Sequence, residues 1–562
     1  MKRLASLLLA SALALTAAGC AGQNPAASTQ SGPPEAVESG KSSVAYVEEL
    51  RIGTTAAIDG ANVMTENGIF GKLNYNAVVT APFVVTDENG KVQPFFMTGW
   101  ELSGDLNTIT ATFATDQGLT WHDGEPVTMD DVVFTFQYLI DRKSSYCSGL
   151  TGVEAVNETT ATLTLTDGKA FTMLNSMANF VTLRPEHVWS KVEGEYAEYT
   201  GEDAAIGCGP YKLTGVDEEA QSMTLEAVSD TYMGQELTVR KLTVRTYDSH
   251  DALVMALRSG EVDAMYDYSN SLNATMVDSI TGVEGLDPGM SDNPGNYQLV
   301  FGFNEQPTDD LIFRKAVRAA LDYELLRVTI GGEDGQIPHA GIVAPPNKGF
   351  DGSLPELAQD VDEANALLDE GGYVDADGDG WRDMPDGSEL NVLITPQYNK
   401  TRQALYLRIA EVLKTNLEAV GVQTTMDEES VRNSDHATEV RKQGTYELYI
   451  GYTSPGVAMY DTAFMYMIGN NGNNPWGTCL LPEFVAAYEA KKTAGSYEAY
   501  NAAMKELQAL ADEQVVGLAL CWDKAYFPYR TDHYEGWTNF PGWGVIPQRS
   551  EERRVGKECR SR

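Results

Sequence analysis

The 562-residue chain is poor in positive charge, with 40 Lys and Arg against 81 Asp and Glu and a formal net charge of −41. That deficit excludes an ordinary nucleic-acid binder, because a phosphate backbone is met by a basic surface. Histidine is also scarce. His122, His187, His250, His339, His436 and His533 are scattered without metal-ligand spacing. There is no G-x-S-x-G, no P-loop and no H-E-x-x-H, so the usual nucleophilic, nucleotide-binding and zinc-hydrolase chemistries have no motif to rest on. A secreted hydrolase working through a carboxylate pair is the alternative this leaves, but among so many acidic residues nothing selects a pair. The absence of an internal repeat counts against a second alternative, a calcium-dependent extracellular structural or adhesive protein.

Cysteine is sparse, and each of the six has a place to be argued. Lys2 and Arg3 precede an apolar run at 4–15, which is shorter than the roughly 20 residues of a membrane span, and Ala17-Ala18-Gly19-Cys20 follows. This is the pattern of a lipoprotein signal peptide over 1–19, with Cys20 as the lipidation site. Residues 20–44, rich in Ala, Gly, Ser, Pro and Gln, read as a flexible tether. Cys559 lies in 549–562, RSEERRVGKECRSR, an abrupt Arg-rich run in an acidic chain. That run resembles the translation of a sequencing-adapter oligonucleotide and is expected to be an artefact. Cys147, Cys208, Cys479 and Cys521 remain, an even number in an oxidising compartment. Three pairings are open to them, and Cys147–Cys208 with Cys479–Cys521 is the favoured one.

What is abundant is ordered secondary-structure signal. Thr108, Thr110 and Thr112 alternate with Ile109, Ala111 and Phe113, the pattern of a half-buried strand. Residues 121–136, WHDGEPVTMDDVVFTF, then give a turn at Asp123-Gly124 and a helix start at Thr128, with Asp131 completing a capping box. Val132, Val133, Phe136, Leu139 and Ile140 share one helical face. Further strands are expected at 46–56, 78–86, 161–165, 422–426 and 515–522. Helices are expected after Ser249, from 308 to about 330, from Thr401 to Gly421, and from Ser496. The alternation of helix and strand makes the class α/β.

Taken together, these stretches resemble a known signature. Trp100-Glu101 and the 121–136 motif, then Gly207-Cys208-Gly209-Pro210-Tyr211, then Leu257 to Asp263 (LRSGEVD), then Phe303-Asn304 with Phe313 to Val317 (FRKAV), follow the order of the family 5 extracellular solute-binding proteins. These are the dipeptide- and oligopeptide-binding subunits of ABC importers. The resemblance implies a two-lobe periplasmic-binding-protein-like fold (class II/cluster C) with an extra inserted domain. Lobe I would be 45–75, 205–299 and 517–548, the inserted domain 76–204, and lobe II 300–516. It implies a reversible binder rather than an enzyme. The protein would be lipid-anchored at the outer face of a bacterial cell membrane (or periplasmic), monomeric, and would deliver a peptide or other small solute to ABC permease subunits.

In this family the ligand is held between the lobes, which makes Thr54 and Thr55 at the end of the first strand candidates, with Tyr452, Thr453 and Ser454 at the end of the strand beginning near 447. Asp461 is the candidate for the ligand's amine, although the family's usual D-Y-P-D-P run is replaced here by SPGVAMYD. Trp476, Trp522 and Tyr526 are candidate aromatic walls. No catalytic cofactor is expected. Residues 375–386, DADGDGWRDMPD, carry Asp375, Asp377, Asp379 and Asp386 at spacings that resemble a calcium loop, with Arg382 where such loops place an apolar residue.

Overall fold

The computed structural model describes residues 46–58, 60–64, 73, 76–87, 90–267, 270–453, 463–469, 477–540 and 544–547. The framework is three sheets. The first has seven strands in the order Leu286–Asp287, Tyr529–Arg530, Ala264–Met265, Val47–Thr54, Val239–Thr246, Ser222–Ala227 and Tyr211–Asp217. Val47–Thr54 runs parallel to Val239–Thr246, with Val47 opposite Val239 and Thr54 opposite Thr246. Leu50 and Ile52 on its inner face are fully buried. The helix His250–Ser259 begins as its sequence dictates, with Ser249 Oγ accepting the Ala252 N–H, and stops at Gly260 in the left-handed region (φ 75°).

The inserted domain is an antiparallel sheet of Met97–Leu102, Thr108–Phe113, Thr160–Leu165 and Leu150–Ala155, packed against the helix Met129–Asp141. Here the 121–136 motif has a structural role. The buried Asp131 carboxylate accepts from Thr128 N–H (2.8 Å), Glu186 N–H (2.8 Å) and Trp121 Nε1 (3.3 Å). Burial raises its pKa, and those donors oppose the rise. His122 N–H donates to Gly207 O, and its Nε2 lies 3.0 Å from Gly209 O. The WHDG turn is thus pinned to the GCGPY stretch, which joins the inserted domain to the first sheet. A Cβ on Gly207 would sit 1.9 Å from Val79 O, so that position admits only glycine.

The third sheet has the order Gln423–Met426, Asn391–Pro396, Leu448–Tyr452, Tyr297–Phe301 and Gly517–Cys521. Leu311–Ala320, Tyr323–Gly331 and Gln403–Ala419 pack on one face, and Pro482–Lys492 and Tyr497–Gln514 on the other. Its last strand corrects an expected boundary. Residues 517–521, assigned from the sequence to the first lobe, pair with Tyr297–Phe301, which itself begins three residues before the expected start of the second lobe at 300. An all-buried apolar strand needs cover on both faces, and this sheet provides it. The chain returns only at Lys524–Tyr526, which pairs with Met290–Asp292.

Three smaller expectations also change. The helix expected over 308–330 breaks at Leu321, and Asp322 caps a second helix through Leu325 N–H. Of the strand expected at 78–86, only Val84–Thr86 is extended, since Val79 ends a short helix whose carbonyl receives the Gly209 N–H. The four core cysteines are free thiols, not disulfides. Cys479 and Cys521 lie in the clusters on opposite faces of the third sheet. Cys147 and Cys208 fill the inserted domain's core as small apolar groups, and burial pushes both thiols up to about 12.

Candidate functional site

The chain passes between the first and third sheets at 293–296 and at 522–523. Side chains of these crossings carry the polar groups of the site. Asn293 Nδ2 donates to Asp523 Oδ1 (2.8 Å) and to the Tyr452 hydroxyl (3.1 Å). Asn296 O accepts the Thr453 N–H (3.0 Å), and Thr453 Oγ1 accepts the Asn296 N–H at 3.0 Å. The amide of Asn296 donates to Ile342 O, leaving its Oδ1 buried without a partner among the described residues.

Arg402 stands beside this cluster at the head of Gln403–Ala419 and is 4% exposed. Nη1 donates to the Tyr297 hydroxyl (2.9 Å), Nη2 reaches Ser271 O (3.2 Å), and Nε has no partner among the described residues. The guanidinium lies over the Tyr452 ring at 5.1 Å. Burial works against its charge, but Tyr297, Tyr452, Asp523 and Tyr406 outweigh that and hold its pKa above the ordinary value. No described carboxylate pairs with it at ion-pair distance. Burial raises Asp523 to about 6, against the pull of Arg402 and Asn293. Nearby His250 is lowered to about 4 by burial and by Arg402, and is neutral at pH 7.

The expected site residues divide. Thr55 accepts from Asn270 Nδ2 (2.9 Å), and Asn270 Oδ1 accepts from Thr401 Oγ1 (2.9 Å), so Thr55 faces the other lobe. Tyr452 and Thr453 lie at the crossings. Trp522 packs in a small box with His339 (tilted, 5.0 Å) and Phe350 (edge-on, 5.5 Å), its indole N–H without a partner among the described residues. Thr54 is fully buried, and its Oγ1 accepts the Ala56 N–H. Tyr526 packs in the first lobe, with its hydroxyl on Asp334 Oδ2 at 2.6 Å. Ser454, Asp461 and Trp476 lie outside the described residues, as does Cys20.

Asn293, Asn296, Asp523, Asn270, Ser271 and Arg402 were not singled out by the sequence. Arg402 does carry a signal, because a cation at a helix N-terminus runs against the dipole and needs a reason. In the acidic loop the structure gathers Asp375 and Asp377 with Asp383, their oxygens within 4.8 Å of one another. Asp379 instead accepts the Trp381 N–H, and Asp386 the Ser388 N–H and hydroxyl. Arg382 turns out of the loop to Asp369 and Val420 O. A separate hollow of about 630 Å³, lined by Trp121, His122, Lys212 and Glu226, shares no residue with the crossings.

Two α/β lobes joined by paired crossings, with a third domain inserted in the first, is an arrangement that can be compared as a whole. The description "Bacterial extracellular solute-binding proteins, family 5 Middle" matches residues 91–476. The chain belongs to this family. It is 27% identical over 332 residues to a putative ABC transporter peptide-binding protein of Brucella ovis, covering 58% of each chain. It is likewise 27% identical over 326 residues to the oligopeptide-binding protein AppA of Bacillus subtilis, covering 55% of this chain and 56% of that one. The family 5 chain therefore spans a little over half the length of these curated relatives. In three dimensions it is similar to B. subtilis AppA solved with a nonapeptide (TM-score 0.70, 16% identity, 89% of this chain and 97% of that one). It is also similar to NikA of Brucella suis solved with Fe(III)-EDTA (TM-score 0.75, 18% identity, 89% and 100%). At such identities the likeness is one of fold.

Proposed function

We propose that this protein is the substrate-binding receptor of an ABC importer, closing its lobes on a peptide or related small solute and passing it unaltered to a membrane permease. The observation that carries the reading is the polar cluster at the lobe crossings. Arg402, Asn293, Asn296, Asp523 and Tyr452 converge there, with an Arg402 Nε, an Asn296 Oδ1 and a Trp522 indole N–H left unpartnered among the described residues. Buried polar groups without partners are costly, and a solute between the lobes is a natural source of partners. The peptide-binding names of the Brucella and Bacillus relatives support peptide as the first class to try. The Fe(III)-EDTA of B. suis NikA and the mannohexaose of a Thermotoga maritima relative argue for including chelates and oligosaccharides. Among the described residues no helix is long and apolar enough to cross a membrane, and Cys20 would provide the anchor. The acidic loop at 375–383 is a secondary reading, a weak calcium site.

The test is a thermal-unfolding screen of di- to hexapeptides, metal chelates and oligosaccharides, with mass spectrometry of the recovered solute. Ligand at 100 times Kd adds about 2.7 kcal/mol to stability, so a true solute gives a saturable upward shift and is recovered intact. Cleaved peptide would replace the receptor with a hydrolase. No shift with any class would reject the receptor.

A further inference from the structure

The hollow of about 630 Å³ at the joint of the inserted domain is walled on one side by the WHDG turn. The strands Tyr211–Asp217 and Ser222–Ala227 of the first sheet wall it on another. A row of alternating charge crosses that sheet. Glu49, Lys241, Glu226 and Lys212 stand in register on four neighbouring strands. Unlike charges directly opposed on paired strands ordinarily join. Glu49 and Lys241 do so, with Lys241 Nζ 2.7 Å from Glu49 Oε1. Lys212 Nζ turns instead to the His122 carbonyl at 2.9 Å. Glu226 is thus flanked by two lysines and joined to neither. Among the described residues its carboxylate has no hydrogen bond or ion pair. Among the described residues that line the hollow, Lys212 is the one lysine or arginine and Glu226 the one carboxylate. His122 adds no charge. Its Nε2 donates to Gly209 O at 3.0 Å, and burial lowers its pKa, so the ring is neutral at pH 7. In a chain of net charge −41, this hollow is balanced, one cation against one anion.

We propose that this hollow is a second binding site, taking a short zwitterion, a free amino acid or dipeptide, with its ammonium on Glu226 and its carboxylate on Lys212. Lys212 keeps its bond to the His122 carbonyl while it donates to the ligand, because an ammonium has three protons. Both contacts are charge-assisted hydrogen bonds, the stronger kind. A ligand with only a negative charge meets Glu226 unfavourably, and one with only a positive charge meets Lys212 the same way. The pair therefore selects molecules that carry both charges. The volume falls within the range of small-molecule sites, about 300–1,000 Å³. Val228 and Met233 line the same hollow and offer apolar surface to the ligand's side chain. The site goes beyond the receptor reading and does not depend on it, since it shares no residue with the lobe crossings.

Methyl NMR of the full chain, labelled at its methionine methyl groups, reads the hollow through Met233. Its resonance is identified by its loss in Met233→Leu. Leucine and leucylglycine, titrated into the millimolar range, are expected to move that resonance saturably. Acetyl-leucine, leucine amide and acetyl-leucine amide lack one charge or both. They are expected to bind at least about tenfold more weakly, as the loss of one charge-assisted hydrogen bond requires. Glu226→Gln and Lys212→Gln are expected to weaken leucine by a similar factor. A Met233 resonance that no zwitterion moves, or that the doubly capped analogue moves equally well, overturns the site. Variants that titrate like the wild type overturn it too. If a variant does not fold, the charged and capped analogues compared on the wild type decide alone. Asp523→Asn, at the crossings, is expected to leave the Met233 titration as it was. Loss of the titration in that variant would mean that Met233 reports solute between the lobes, and the second site would fall while the receptor reading stood.

Discussion

Asn293 and Asp523 join the two connecting segments on which the chain passes between its lobes, with Nδ2 of one donating to Oδ1 of the other at 2.8 Å. The carboxylate is held at a cost, since burial raises it to about 6. Between about pH 4 and 6 the folded protein binds a proton that the unfolded chain has released. Stability therefore falls as pH rises through that window, and the penalty is complete above it. Asp523→Asn keeps the acceptor for Asn293 and removes the charge. It is expected to flatten the difference in unfolding free energy between pH 4 and 7 by up to about 3 kcal/mol. Denaturant melts of both proteins across that range, read as a difference, check this, and parallel curves would mean Asp523 is ordinary.

Asp131→Ala leaves the Thr128 and Glu186 amides and the Trp121 indole without their buried acceptor. A loss of about 2 kcal/mol or more is expected, with the helix Met129–Asp141 fraying first. Urea denaturation gives the magnitude, and hydrogen exchange along that helix gives the place.

Gly207→Ala places a methyl group 1.9 Å from Val79 O. Because the obstacle is backbone, the inserted domain must shift away from the first sheet, at a cost of roughly 3 kcal/mol or more. Gly215→Ala, where nothing lies within 4 Å of the added carbon, is the matched control and is expected to melt like the wild type.

Calcium is expected to bind the 375–383 loop weakly, through Asp375, Asp377 and Asp383. Calorimetry should show a small saturable heat that Asp377→Ala removes. Superimposable titrations of wild type and variant would eliminate the site.

Cys20→Ala is expected to prevent incorporation of labelled fatty acid in a bacterial host and to move the protein from the membrane fraction to the medium. Label retained by the variant would place the anchor elsewhere or abolish it.

The family and the local elements were legible in the chain because their causes are local. A capping box at Thr128–Asp131, a glycine ending the helix after Ser259, and alternation at 108–113 are set by residues a few positions apart. The ordered motifs added an address, and in the structure the best of them, 121–136, is a joint between the inserted domain and the first sheet. Of the candidates at strand ends, Tyr452 and Thr453 fell at the crossings and Thr55 beside Asn270, because a sheet exposes its ends where the chain must turn. What the sequence could not decide depended on separations of a hundred residues or more. Arg402 meets Ser271, Asn293 meets Asp523, and Tyr497 meets Asn175 only once three sheets are packed. The same holds for the corrections. Residues 517–521 looked like a buried strand and are one, but which sheet would cover both faces was a question of packing. Cysteine count allowed pairing, yet the third sheet lies between the clusters that hold Cys479 and Cys521. Pattern along a chain determines which face of an element is apolar, and only tertiary packing determines what that face, or a stray polar group beside it, is buried against.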